Sequence, residues 1–318
     1  MLEVEQKFPF SDRSDLEERL RKEGFAPVKD LTMVDWYFDR FVDNGDNDYL
    51  ELPLVRRDHW LRYRETITEN ANDNDGQWQL KRGNKGDGRS GGGATVYEEI
   101  EGIQAVDIAH SVLKESTSSL SANSEEAVAT STSFDGHPIP VLPIPDCDVV
   151  PLARIVTHRA KWKQEQQQQP PKTGNVNAND SDTSFPNLVV DLDTTPDGYA
   201  IGEVEAVVEG EDCNINIDSA TTKEAETATA EAKARNDRTV SRARADIEQF
   251  LARLLLDDGD DNGESQSSSS ATNRRPPMGK LEQFLSQNRP RIYKACFEAG
   301  VIPKPPPPPS TNTAPTTL

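Results

Sequence analysis

The sequence predicts an α+β fold: an eight-stranded closed antiparallel β-barrel with helices on its outside. Three observations lead there. Eight short segments alternate polar and apolar residues, the period-two signature of strands. No long helical pattern separates most of them, which favours antiparallel pairing over helix-linked parallel strands. Seven of the eight carry one charged and one apolar face, and closing such a sheet on itself removes its exposed edges.

The strand candidates are 2–8, 33–40, 59–67, 77–82, 95–101, 154–163, 188–193 and 199–208. Between the first two, Ser14-x-x-Glu17 reads as a capping box, with Leu16 and Leu20 on one face and Gly24 as the stop. Residues 222–256 are rich in Ala, Glu, Lys and Arg and end in Ile247, Phe250, Leu251, Leu254 and Leu255 at helical spacing. Two further short helices, Lys280–Ser286 and Arg291–Ala299, are split by Pro290. The expected organisation is a single domain over 1–303. It is interrupted by insertions of disorder-like composition near 69–76, 83–94, 115–150, 164–187 and 257–277, and followed by a proline-rich tail, 304–318.

Of 318 residues, 35 are Lys or Arg and 55 are Asp or Glu, a net charge of −20. That balance argues against a nucleic-acid or anionic-membrane surface, because either needs a broad positive face. No apolar run approaches the roughly 18 residues of a membrane span. The acidic start, Met1-Leu2-Glu3-Val4-Glu5, does not resemble a secretory or transit signal. Cys147, Cys213 and Cys296 are odd in number and widely spaced, the pattern of reduced thiols in a cytoplasmic protein. The segments 43–48, 69–76, 115–150, 164–187 and 257–271 carry −3, −3, −6, −2 and −5, so the acidity belongs to loops and the framework is near neutral.

Within that framework the charges sort by strand. Side chains two apart share a face. Glu3, Glu5 and Lys7 lie together, as do Trp60, Arg62 and Arg64, Gln79 and Lys81, Tyr97, Glu99 and Glu101, Thr157, Arg159 and Lys161, Asp191 and Asp193, and Glu203 and Glu205. With the charged faces turned inward, the barrel would have a polar lumen with carboxylates on some walls and Arg and Lys on others. Carboxylate oxygens suit magnesium, which is usually shared with substrate phosphates. Arginine forks and lysine ammonium groups suit the phosphates themselves. A triphosphate needs both.

The Glu3-Val4-Glu5-Gln6-Lys7 segment resembles the Glu-x-Glu-x-Lys hallmark of the triphosphate tunnel metalloenzymes, the CYTH superfamily. The blocks DWYFD, DHWLRYRE, QWQLKR, TVYEEIEG, VTHRAKWK, LVVDLDTTPDGYAIGEVEAVVEG and GKLEQFLSQNRPRIY follow in the order of its thiamine-triphosphatase branch. The resemblance implies a tunnel that hydrolyses thiamine triphosphate to thiamine diphosphate and phosphate with Mg2+. Carried over residue by residue, it implies Glu3, Glu5, Asp191, Glu203 and Glu205 as metal-binding carboxylates. Lys7, Arg62, Arg64, Arg159 and Lys280 become the triphosphate clamp, Lys280 closing over the site from a C-terminal helix. Lys81 and Tyr37 match a catalytic pair, and Trp60 matches the aromatic that stacks on the thiazolium ring. Glu203 and Lys81 count among the substrate-binding residues as well.

Two roles stay open at the level of sequence. Lys81 serves as a base only if neighbouring cations lower its pKa, and otherwise binds phosphate. Trp60 serves either as a stacking face or as a barrel plug. The resemblance implies a small-molecule substrate, and the expected state is a monomer. The alternatives in function are an inorganic or nucleoside triphosphatase on the same fold, and a non-catalytic polyphosphate-binding module.

Overall fold

The computed structural model describes residues 2–40, 42–43, 50–67, 76–83, 93–117, 133–143, 149–164, 188–208, 222–255 and 277–302. The remaining parts of the expected insertions and the tail 304–318 lie outside the described residues, as do Cys147 and Cys213.

Eight antiparallel strands form one sheet: β1 (Leu2–Phe8), β2 (Phe25–Arg40), β3 (His59–Ile67), β4 (Gly76–Gly83), β5 (Thr95–Glu101), β6 (Val149–Gln164), β7 (Leu188–Thr194) and β8 (Ala200–Val208). Their hydrogen-bonded order is β1-β8-β7-β6-β2-β3-β4-β5, and β1 pairs with β8 along one edge and with β5 along the other. The order is therefore cyclic. All eight expected strands are present. β2 and β6 start earlier than the alternation suggests, at Phe25 and Val149, and pair with each other over their whole lengths. Pro27 and the exposed run to Asp30 hide the first part of β2 from a polarity pattern.

The helices are α1 (Arg13–Lys22), α2 (Ile103–Thr117), α3 (Thr222–Leu255), α4 (Lys280–Asn288) and α5 (Pro290–Glu298). α1 is capped by Asp12, whose carboxylate accepts from the Ser14 and Asp15 amides, so the expected cap at Ser14 moves two residues upstream. α2 is not among the elements expected from the sequence. Its Ala105, Val106, Ala109, Val112 and Leu113 nevertheless follow helical spacing and are all buried. Pro290 opens α5 at the position where its missing N–H costs nothing.

The apolar faces of the strands point outward and the helices cover them. Val4, Phe8, Trp162, Val190, Leu192 and Val204 pack with Leu16 and Leu20 of α1 and Ile247, Phe250 and Leu254 of α3. Val34, Trp36, Phe38, Leu61, Leu80 and Ile100 pack against α2. Each such fully buried side chain contributes roughly 1.5–3 kcal/mol. Within the stretch 115–150, a small hairpin pairs Ser133–Phe134 with His137–Pro138, and Phe134, Ile139 and Leu142 join the α2 cluster. A third cluster, with Leu285, Ile292, Tyr293 and Cys296, seats α4 and α5 on Leu52, Val55 and Leu152. The opposite strand faces, which turn into the ring, carry the buried charges.

Candidate functional site

On β1 and β8 the register sets Glu5 opposite Glu205 and Lys7 opposite Glu203. Glu3, Glu5 and Glu205 each offer a carboxylate oxygen within 4.8 Å of the others. All three are buried. Such crowding is costly: burial, then Glu3, Glu203 and Asp191, push Glu205 well above the ordinary carboxylate range. Glu5 is also raised, by burial and by Glu203, against the pull of Lys7 and Lys81. Glu203 goes the other way. Burial opposes its charge, but Lys7 and Lys81 hold it well below the usual value, and Lys7 Nζ donates to it at 2.8 Å. Lys7 also pairs with Glu5.

Lys81, on β4, forms ion pairs with Glu5 and, at 2.9 Å, with Glu3, and its ammonium sits 4.5 Å from the centre of the Tyr97 ring. Burial alone would favour the neutral amine. Glu5, Glu3 and Glu203 outweigh it and hold the pKa above the ordinary lysine value. Carboxylates, not cations, dominate around Lys81.

Next along the inner wall, Asp191 faces Glu203 across β7 and β8, and Lys161 faces Asp191 across β6 and β7. Arg159 pairs with Asp191 and forms a two-pronged bond to Asp193, with Nε and Nη2 each 2.7 Å from a carboxylate oxygen. Lys280, the first residue of α4, reaches in to Asp193. Its pKa is lowered by burial and by Arg159, against Asp193. Sequence reasoning turned Asp193 inward but gave it no role.

The third group lies on β2, β3 and β4. Arg62 donates from Nε to Gln79 at 2.7 Å and from Nη2 to Glu99 at 2.8 Å. Arg64 forks onto Asp35, with bonds of 2.6 and 2.9 Å. Burial opposes the charge on Asp35, but Arg64 holds its carboxyl well below the usual range. Asp35 was missed from sequence, although its parity with Tyr37 on β2 places it on the inner face. Tyr37 itself is half-buried beside Asp35 and Arg62, and desolvation followed by Asp35 raises its hydroxyl pKa. Lys81 and Tyr37, the expected catalytic pair, have these neighbours: Glu3, Glu5 and Glu203 around the first, Asp35, Arg62 and Arg64 around the second.

Trp60 lies opposite Lys81 in the β3–β4 register and packs against the cluster that seats α4 and α5. Its indole Nε1–H donates to Asp58 Oδ1 at 3.0 Å. Asp58 is buried and left-handed, with φ 60°, so the ring is held from an unusual turn immediately before β3. A separate cleft of about 600 Å³, between α3 and strands β1, β4 and β5, is lined by His59, Arg82, Glu98, Asp237 and Arg244 among others and contains none of the expected site residues.

The structure defines a class of fold, an eight-stranded antiparallel ring with helices outside and carboxylates grouped beside arginines and lysines on its inner face. No family model matches the chain. It is 30% identical over 213 residues to the thiamine-triphosphatase of Homo sapiens, covering 66% of this chain and 70% of that protein. With that of Macaca fascicularis it shares 29% identity over 213 residues. The chain belongs to the thiamine-triphosphatase family. Among solved structures, a putative adenylate cyclase from Bacillus halodurans is 12% identical with a TM-score of 0.37, covering 89% of this chain and 96% of that one. A putative adenylyl cyclase from Hippeastrum, described as having a dominant triphosphatase activity, is 15% identical with a TM-score of 0.30, covering 72% and 95%.

Proposed function

We propose that this protein hydrolyses thiamine triphosphate to thiamine diphosphate and phosphate with magnesium, and that the cyclic sheet works as a closed tunnel around the triphosphate. The observation that carries the reading is the juxtaposition of Glu3, Glu5 and Glu205 within 4.8 Å of one another with Lys7 and Lys81 paired to the same acids. The residues fit the metal. They supply hard oxygen donors, and the mutual repulsion that raises Glu205 is what a bound cation relieves. Glu203 and Asp191, next along the wall, complete the set. When bound, magnesium neutralises charge on the phosphate chain.

The chain's own residues do the rest. Arg62, Arg64, Arg159, Lys7 and Lys280 bind phosphate oxygens and offset the charge that builds as a water oxygen bonds to the terminal phosphorus and the bridging P–O bond breaks. Asp35 holds Arg64, and Gln79 and Glu99 hold Arg62, so both guanidinium groups are oriented before substrate arrives. Lys81, kept protonated by its carboxylates, serves as a phosphate ligand rather than a base. Trp60 offers a face to the thiazolium cation, an attraction of roughly 0.5–2 kcal/mol. The acidic balance of the chain, −20 overall, fits a small-molecule substrate and neither nucleic acid nor membrane. No described helix is long and apolar enough to cross a bilayer. On this reading the protein acts as a cytoplasmic monomer.

The test is turnover of thiamine triphosphate, ATP and tripolyphosphate side by side, with magnesium, manganese or calcium. Preference for thiamine triphosphate with magnesium supports the reading. Equal or better turnover of tripolyphosphate or ATP assigns an inorganic or nucleoside triphosphatase, and no turnover of any leaves a polyphosphate-binding module.

A further inference from the structure

Asp193 has no part in the function as proposed, yet it is among the most deeply buried acids of the ring, 1% exposed. Both its oxygens are committed to cations. Oδ1 accepts Arg159 Nε and Oδ2 accepts Arg159 Nη2, each at 2.7 Å. Oδ2 also takes the ammonium of Lys280. One carboxylate thus ties β6, β7 and the first residue of α4 together. A second tie lies beside it: the Tyr199 hydroxyl donates to the Met278 carbonyl, two residues before α4. Arg159 also touches Asp191 and, at 3.8 Å, Glu203, but those acids are committed to the metal in the reading above.

We propose that Asp193 is a positioning residue: it presets Arg159 and Lys280 for the phosphate chain and latches the N-terminus of α4 across the ring. The proposal rests on the triphosphatase reading for what Arg159 and Lys280 bind, but the latch itself rests on the three-way ion pair alone. A fork fixes the plane of the guanidinium as well as its place, and a lysine at the first position of a helix carries that helix with it. α4 keeps its apolar seat through Leu285, so losing the latch loosens the helix without unfolding the ring.

The test uses Asp193→Asn, Lys280→Met, the double variant and Asp193→Glu, in the full chain. Amide hydrogen exchange over Lys280–Asn288, measured without metal or substrate, is expected to speed up about tenfold in either single variant and no further in the double. Exchange in α1 stays unchanged. With tripolyphosphate and magnesium, Asp193→Asn is expected to raise KM about tenfold or more. Its magnesium requirement stays the same, and Asp193→Glu recovers part of the loss. Unchanged exchange in α4, or additive effects in the double variant, would overturn the latch. A raised magnesium requirement without faster exchange would make Asp193 a metal ligand instead. If the wild-type protein turns over no triphosphate, the functional reading fails, and the exchange measurements still decide the latch.

Discussion

Lys81 Nζ lies 2.9 Å from Glu3 Oε2 and pairs with Glu5 from the same ammonium. Two buried acids flank one lysine, and the proton stays on it. Lys81→Ala is therefore expected to lower kcat by roughly 10²–10³, as loss of one charge-stabilising donor does, with a uniform drop across pH. Loss of only the basic limb of the rate profile would make Lys81 a base.

Asp35 and Arg64 give a pH dependence of stability. The Asp35 carboxyl is held well below its ordinary 3.8 by Arg64, in spite of burial. A carboxyl depressed in the folded state stabilises the fold above its unfolded pKa, and that contribution is lost as pH falls through the folded value. Asp35→Asn is expected to cost about 3 kcal/mol near neutral pH, the scale of a broken buried pair. The gap from wild type should shrink progressively below about pH 4. Denaturant unfolding from pH 7 to pH 2 checks both the size and the direction.

Trp60 separates the substrates. If its ring stacks on thiazolium, Trp60→Ala should cut kcat/KM for thiamine triphosphate by roughly 2–30-fold, the equivalent of a cation–π contact, and leave tripolyphosphate untouched. Asp58→Ala, which releases the indole N–H, should give a smaller loss in the same direction. Equal loss on both substrates would make Trp60 a packing residue.

The crowding of Glu3, Glu5 and Glu205 predicts opposite effects with and without metal. In chelator, Glu205→Gln should melt higher than wild type, because it removes a buried like-charge contact. With millimolar magnesium the order should reverse, since wild type gains binding free energy that the variant lacks. Thermal melts with and without magnesium read both.

Gly202 sits opposite Phe8 across β1 and β8, and a Cβ there would overlap the Phe8 ring. Gly202→Ala is expected to destabilise by about 1–3 kcal/mol, the usual cost of overpacking. Phe8→Leu in the same chain should recover part of it.

Much of the site was legible because a strand has period two. Parity grouped Glu3, Glu5, Arg62, Arg159, Asp191, Glu203 and Glu205 on charged faces, ring closure was expected to turn those faces inward, and the burial of these residues agrees. What parity does not carry is partnership across strands. Asp35 is two residues from Tyr37, but only the β2–β3 register sets it opposite Arg64. Asp193 faces Arg159 for the same reason. Tyr37 lies opposite Arg62 and Lys81 opposite Trp60, which the motifs alone do not say. The α1 cap was misplaced because Ser14 and Asp12 both suit the role, and only backbone geometry chooses between them.

The pairing of β1 with both β8 and β5 also sets a schedule for synthesis. The first strand made can close against β5 once about a third of the chain exists, but its other edge waits for residues near 208. Until then Glu3, Glu5 and Lys7 have no opposite wall. Contacts of such sequence separation slow folding, so β1 stays half-paired on a growing chain, and the cluster of Glu3, Glu5 and Glu205 comes into being only as the last strand zips shut.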